Sequence, residues 1–231
     1  MTRIRRAVLL DLDGTLVDTA PDFHAVLNRL RQEEGLPPLA YAAVRAEVSN
    51  GGGALIRLGF GVERGTPEFA ALLERLLAHY SAHIADHSRL FPGMAPLLDW
   101  LEQRRWPWGV VTNKPQRFAQ PLLEQLGLAR RCGALVCPEQ VAATKPDPEG
   151  LLLACRQLGC DPALSVYAGD HVRDIEAGRN AGLLTASALF GYLEPRAQPQ
   201  QWGANYNARS AGDLLAWLQT LDQPSTGTRH V

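Results

Sequence analysis

Short apolar runs rich in Val, Leu and Ala recur at 6–10 (RAVLL), 108–111 (WGVV), 133–137 (GALVC), 164–168 (LSVYA) and 184–189 (LTASAL). Continuous apolar character over so few residues, bordered by turn formers, predicts strands buried on both faces. Between them apolar positions recur at helical spacing, as in 116–128 (QRFAQPLLEQLGL), 149–159 (EGLLLACRQLG) and 174–182 (DIEAGRNAG), with Gly or Pro near the joints. Strands alternating with helices predict an α/β fold built on a doubly wound, Rossmann-like parallel sheet.

One interval breaks the alternation. From Pro21 to Leu90 no strand is evident, while 22–35, 40–48, 54–60 and 67–87 all carry helical apolar spacing. Such a segment exceeds what a crossover connection needs, so it predicts a small helical cap over 18–90 inserted after the first strand. The core is then 1–17 and 91–222, and residues 223–231 (QPSTGTRHV) form a frayed tail.

Composition changes this picture little and excludes several functions. The 231 residues are 46% hydrophobic with a formal net charge of −1, so a large core is affordable and no basic field draws nucleic acid or an anionic membrane. No run reaches the 18 apolar residues of a membrane span; Arg5-Arg6 faintly suggests a twin-arginine signal, but the apolar stretch after it is short and interrupted by charge, so none is expected. The four cysteines, Cys132, Cys137, Cys155 and Cys160, lie in two C-x4-C pairs, which reads as buried reduced thiols rather than a zinc site. A cytoplasmic protein, monomeric or homodimeric, is expected.

In an open parallel sheet, ligands bind beyond the carboxyl ends of the strands. Asp11 and Asp13 follow the first run, Thr112 and Asn113 the second, Lys145 lies a short loop beyond the third, and Asp170 follows the fourth. Any one of these is explained as a cap or turn residue; the set is not. Asp11, Asp13, Asp170 and Asp174 crowd negative charge that needs a cation, and all-oxygen ligands favour Mg²⁺. Lys145, the Thr112 hydroxyl and the Asn113 amide suit a phosphoryl group.

The segments DLDGTLVDT (11–19), VVTNK (110–114), TKPDPE (144–149) and GDHVRDIEAGRNAG (169–182) resemble, in order and spacing, the four motifs of the haloacid dehalogenase-like superfamily, in its phosphatase branch. The resemblance implies that Asp11 is the nucleophile, forming an aspartyl-phosphate, and Asp13 the general acid and base. It places Thr112, Asn113 and Lys145 on the phosphoryl oxygens, and Mg²⁺ on the Asp11 carboxylate, the Asp13 carbonyl and Asp170. Asp174 is expected to orient Lys145 or a metal-bound water, and Gly14 to turn backbone N–H groups toward the phosphate. Asp13 and the absence of any lysine before Lys114 disfavour dehalogenase and phosphonate-cleaving chemistry. A sugar phosphomutase and a non-catalytic phosphate sensor are further alternatives.

The segments 18–23 (DTAPDF), 87–94 (HSRLFPGM), 108–128, 190–195 (FGYLEP) and 201–205 (QWGAN) resemble a narrower bacterial group, the phosphoglycolate phosphatase-like proteins. That resemblance implies a small phosphate ester as substrate: N-acetylmuramic acid 6-phosphate from cell-wall recycling, or 2-phosphoglycolate. Substrate contacts are expected in VSNGGGALIRLGF (48–60), at Ser49, Asn50 and Arg57, where Gly51 to Gly53 permit close approach of a ligand. His171 reads as an exposed loop residue, and Asp18 as a helix cap or hinge. His79, His83 and His87 would share one helical face.

Overall fold

The structure is a computed structural model that describes residues 6–223, so the expected tail lies, beyond Gln223, outside the described residues. The chain opens with β1 (Val8–Leu10), whose three residues are all buried, and a tight turn leads to the two-residue β2 (Val17–Asp18). A helical segment follows: α1 (Ala20–Glu33), α2 (Tyr41–Glu47), a 3₁₀ turn at Val48–Asn50, α3 (Gly52–Phe60) and α4 (Pro67–Ala82). The chain returns through β3 (Arg89–Leu90), antiparallel to β2, with Val17 facing Leu90 and Asp18 facing Arg89.

From there the alternation resumes: α5 (Met94–Gln103), β4 (Trp108–Val111), α6 (Gln116–Gln125), β5 (Leu135–Val136), α7 (Glu149–Leu158), β6 (Val166–Gly169), α8 (Val172–Asn180), β7 (Leu184–Ala188), β8 (Tyr206–Ala208) and α9 (Ala211–Asp222). Six strands form one parallel sheet in the order β5-β4-β1-β6-β7-β8. The chain thus winds outward from β1 first to one side and then to the other, and the order reverses between β1 and β6. A ligand crevice is expected at that switch point.

Both faces of the sheet are covered. Val8, Leu10, Val110, Val166 and Ala168 belong to a cluster with residues of α5, α6 and α9, while Leu9, Val111, Val136 and Tyr167 pack with residues of α7 and α8. This alternation along each strand is the two-residue period of a pleated backbone. The first cluster continues into the helical segment through Phe23, Leu27, Leu55, Leu76 and Tyr80, so that segment shares an apolar interior with one face of the sheet. No helix among the described residues is long and apolar enough to cross a membrane.

Several boundaries differ from the sequence reading. The helix expected over 67–87 ends at Ala82, and Ala85 stands at φ 63°, so His79, His83 and His87 do not share one helical face. His79 meets Glu33 and His83 meets Asp86 instead. Strands β3 and β8 and helices α5 and α9 were not apparent from the pattern.

Candidate active site

Asp11 stands at the first position beyond β1, where its N–H still donates to the Ala168 carbonyl at 2.9 Å, so its side chain sits at the mouth of the sheet. The loop then folds back tightly: Leu16 N–H donates to Asp11 O, Val17 N–H to Leu12 O, and Gly14 N–H to Val17 O. Gly14 has φ 88°, and a Cβ there would lie 2.1 Å from Asp170 Oδ2. The Gly14 N–H is used within the turn, so the glycine serves by leaving room for Asp170, not by presenting that amide to a ligand.

Lys145, on the loop after β5, reaches the same point. Its Nζ lies 2.7 Å from Asp11 Oδ1 and 2.7 Å from Asp174 Oδ1, and also donates to Tyr167 Oη at 2.8 Å and the Val111 carbonyl at 3.1 Å. Asp174, fully buried in the first turn of α8, accepts the His171 N–H with its other oxygen. Burial pushes the Asp11 carboxyl up to about 6 against the pull of Lys145. Asp174 is also buried, but Lys145 and Arg173 bring it below the usual carboxylate range.

Asp170 follows β6 directly. Its Oδ2 accepts from the Tyr192 N–H at 2.7 Å and from the Ser49 hydroxyl at 3.2 Å, while Oδ1 is buried with no hydrogen-bond partner among the described residues. Burial, then the charges of Asp11 and Asp174, push it well above an ordinary aspartate. Carboxylate oxygens of Asp11, Asp170 and Asp174 all lie within 4.8 Å of one another. Three carboxylates around one lysine leave the cluster negative, and an orphaned buried oxygen is costly. The donor set therefore fits a divalent cation bound by oxygen.

Asp13 turns away from this cluster. Its Oδ1 accepts from the Thr19 hydroxyl at 2.5 Å and from Lys114 Nζ at 2.9 Å. The Lys114 ammonium is buried against the faces of Tyr80 and Phe23, 4.6 and 4.9 Å from the ring centroids, and the two rings stack at 4.1 Å. Burial alone would lower the Lys114 pKa, but Asp13 and Tyr80 hold it above the usual lysine range.

A cavity of about 380 Å³ runs from these groups into the helical segment, lined by Asp11, Asp13, Thr112, Asn113, Lys114 and Lys145 on the sheet side. Ser49, Asn50, Gly51 to Gly53 and Arg64 line it on the helical side. The Thr112 hydroxyl accepts the Lys114 N–H, and Asn113 Nδ2 donates to the Lys145 carbonyl.

A model of the haloacid dehalogenase-like hydrolases matches residues 5–182. The chain belongs to that family. This haloacid dehalogenase-like hydrolase is 48% identical over 206 residues to N-acetylmuramic acid 6-phosphate phosphatase of Pseudomonas aeruginosa, covering 89% of this chain and 91% of the relative. It is 41% identical over 221 residues to phosphoglycolate phosphatase of Xanthomonas campestris pv. campestris, covering 94% and 99%. Its fold matches the crystal structure of a predicted phosphoglycolate phosphatase from Haemophilus somnus at a TM-score of 0.82 and 24% identity, over 95% of this chain and all of that one. It is a phosphomonoester hydrolase.

Of the sequence-predicted residues, Asp11, Asp170, Asp174 and Lys145 converge, and Asp13, Thr112, Asn113, Ser49 and Asn50 join them on the cavity wall. Arg57 does not. It is exposed on α3, whose buried face is Ala54, Leu55, Ile56 and Gly59, and Arg64 and Arg173 are the arginines that reach the cavity. Asp18 is no helix cap: it lies in β2 and accepts the Tyr192 hydroxyl at 2.6 Å. Nor is His171 a loose loop residue, since it is the N-cap of α8 and stacks on Trp202. Lys114 and Tyr167 were missed as site residues, although Lys114 directly follows Thr112 and Asn113 at the end of β4.

Proposed function

We propose that the protein is a Mg²⁺-dependent phosphatase acting through an aspartyl-phosphate on Asp11, with cytoplasmic N-acetylmuramic acid 6-phosphate as its substrate. The observation that carries the substrate is the 48% identity, across 89% of the chain, to a phosphatase of that name. A cavity of about 380 Å³ is compatible with it, since pockets that enclose drug-sized ligands measure roughly 300–1,000 Å³. The helical segment 18–90 acts as the cap and 1–17 with 91–222 as the catalytic core.

In this mechanism Lys145 restrains one Asp11 oxygen as an anion and leaves the other to attack phosphorus, replacing one difficult hydrolysis by two displacements. Thr112, Asn113 and Lys145 hold the transferring oxygens. Asp13 uses the oxygen not engaged by Thr19 and Lys114 to protonate the leaving alkoxide, then to take a proton from the water that cleaves the acyl phosphate. The Asp11 carboxylate, the Asp13 carbonyl and Asp170 would hold Mg²⁺, which when bound offsets the repulsion between Asp11 and an anionic phosphate. Asp174 holds Lys145 in place.

A second reading, 2-phosphoglycolate, is favoured by the 41% identity to the Xanthomonas phosphatase. Phosphate release measured with both esters and with hexose phosphates, with and without Mg²⁺, separates the two. A higher kcat/KM for 2-phosphoglycolate overturns the amino-sugar assignment. Asp11→Asn is expected to abolish turnover, and full activity in that variant overturns the mechanism.

A further inference from the structure

Four cations line the cavity, and three already have partners. Lys145 is paired with Asp11 and Asp174, Lys114 with Asp13, and Arg173 donates Nη2 to the Ser49 carbonyl at 2.5 Å. Arg64, in the link between α3 and α4, has no hydrogen-bond or ion-pair partner among the described residues.

Its setting is built for a ligand. A Cβ on Gly53 would meet Arg64 Nη2 at 3.1 Å and Phe69 Cζ at 3.3 Å, so Gly53 lies directly beside the exposed guanidinium on the cavity wall. Gly52 and Gly53 open α3, so neither places a side chain between the start of that helix and the cavity. Leu73 and Leu77 line the same wall, so an apolar surface adjoins an unpaired guanidinium. That combination fits an acid carrying small alkyl groups, because guanidinium binds a carboxylate through two parallel hydrogen bonds.

We propose that Arg64 is the specificity-determining residue that binds a carboxylate at the end of the substrate remote from its phosphate. The inference rests on the phosphatase reading above and deepens it: the sheet side of the cavity handles the phosphoryl group and Arg64 the distal acid. Esters that lack the acid leave this cation unpaired and bind less well.

The test compares Arg64→Gln and Arg64→Lys with the parent on two matched pairs: N-acetylmuramic acid 6-phosphate against N-acetylglucosamine 6-phosphate, and 2-phosphoglycolate against 2-hydroxyethyl phosphate. On whichever acid the parent prefers, Arg64→Gln should lose roughly 10- to 150-fold in kcat/KM, mostly through KM, with the loss on its acid-free counterpart below about threefold. Arg64→Lys should recover part of the loss, since it keeps the charge without the fork. Equal losses on both members of the preferred pair, or none on the acid, overturn the role of Arg64. A parent that prefers 2-phosphoglycolate overturns the amino-sugar reading separately.

Discussion

Replacing Lys145 by methionine removes a cation that touches two buried carboxylates at 2.7 Å each, along with a tyrosine hydroxyl and a carbonyl. Stripping one partner from a buried ion pair costs about 3–5 kcal/mol, because the remaining charge stays desolvated. The variant has an escape: its carboxylates can bind protons. Asp11 is already pushed up to about 6 by burial with Lys145 in place, and loss of the lysine moves both it and Asp174 upward. A folded-state pKa raised above the unfolded value means that the folded state holds more protons, so stability is full at low pH and falls as pH rises through the folded value. The deficit of Lys145→Met should therefore be at least about 3 kcal/mol near pH 8 and less than half of that near pH 5, changing by up to about 1.4 kcal/mol per pH unit for each proton bound. Urea unfolding in EDTA, followed by tryptophan fluorescence, reads this directly. Adding Asp174→Asn to Lys145→Met removes one stranded charge and should restore about 1 kcal/mol or more at pH 8. A deficit below about 0.5 kcal/mol at pH 8, or one independent of pH, refutes the account of a charge-balanced buried cluster.

Two further outcomes follow from the same cluster. Gly14→Ala should lose at least about 2 kcal/mol of stability and bind Mg²⁺ about tenfold more weakly, since φ 88° strains an alanine and its Cβ would stand 2.1 Å from Asp170 Oδ2; thermal melts with and without Mg²⁺ measure both. Mg²⁺ at the proposed site would displace protons from Asp11, at about 6, and from Asp170, which burial raises well above an ordinary aspartate, so its affinity should fall by at least about tenfold per pH unit below about pH 6. Calorimetric titration at several pH values checks this, and a constant affinity from pH 5 to 8 contradicts it.

The parts of the fold legible in sequence were those written in local pattern. Val8 to Leu10 and Val166 to Gly169 are buried throughout, and such strands announce themselves as unbroken apolar runs, with their functional residues just beyond. Tyr206–Ala208 is only partly buried and carries a polar centre, so β8 gave no such signal. Tyr167 reads as an ordinary core aromatic because its role depends on Lys145 arriving from a distant loop. Arg57 misled for a related reason: a helix places successive residues about 100° apart, and one position beside buried Ile56 already faces water. Lys114 was visible at the strand end, but its partners Phe23 and Tyr80 come from α1 and α4, and only the folded chain brings them to it.

The pairing of β2 with β3 sets the two ends of the helical segment side by side, with Asp18 opposite Arg89. Nearby, Asp22 accepts the N–H groups of His87 and Ser88, drawing entry and exit together once more. The two ends of the segment are therefore joined to each other by contacts of their own. On the reading proposed above, the segment between them chooses the substrate, and a chain built this way can exchange it while Asp11, Lys145 and Asp170 stay where they are. New specificities then need changes in one contiguous stretch of sequence, and none in the machinery that breaks the phosphate bond.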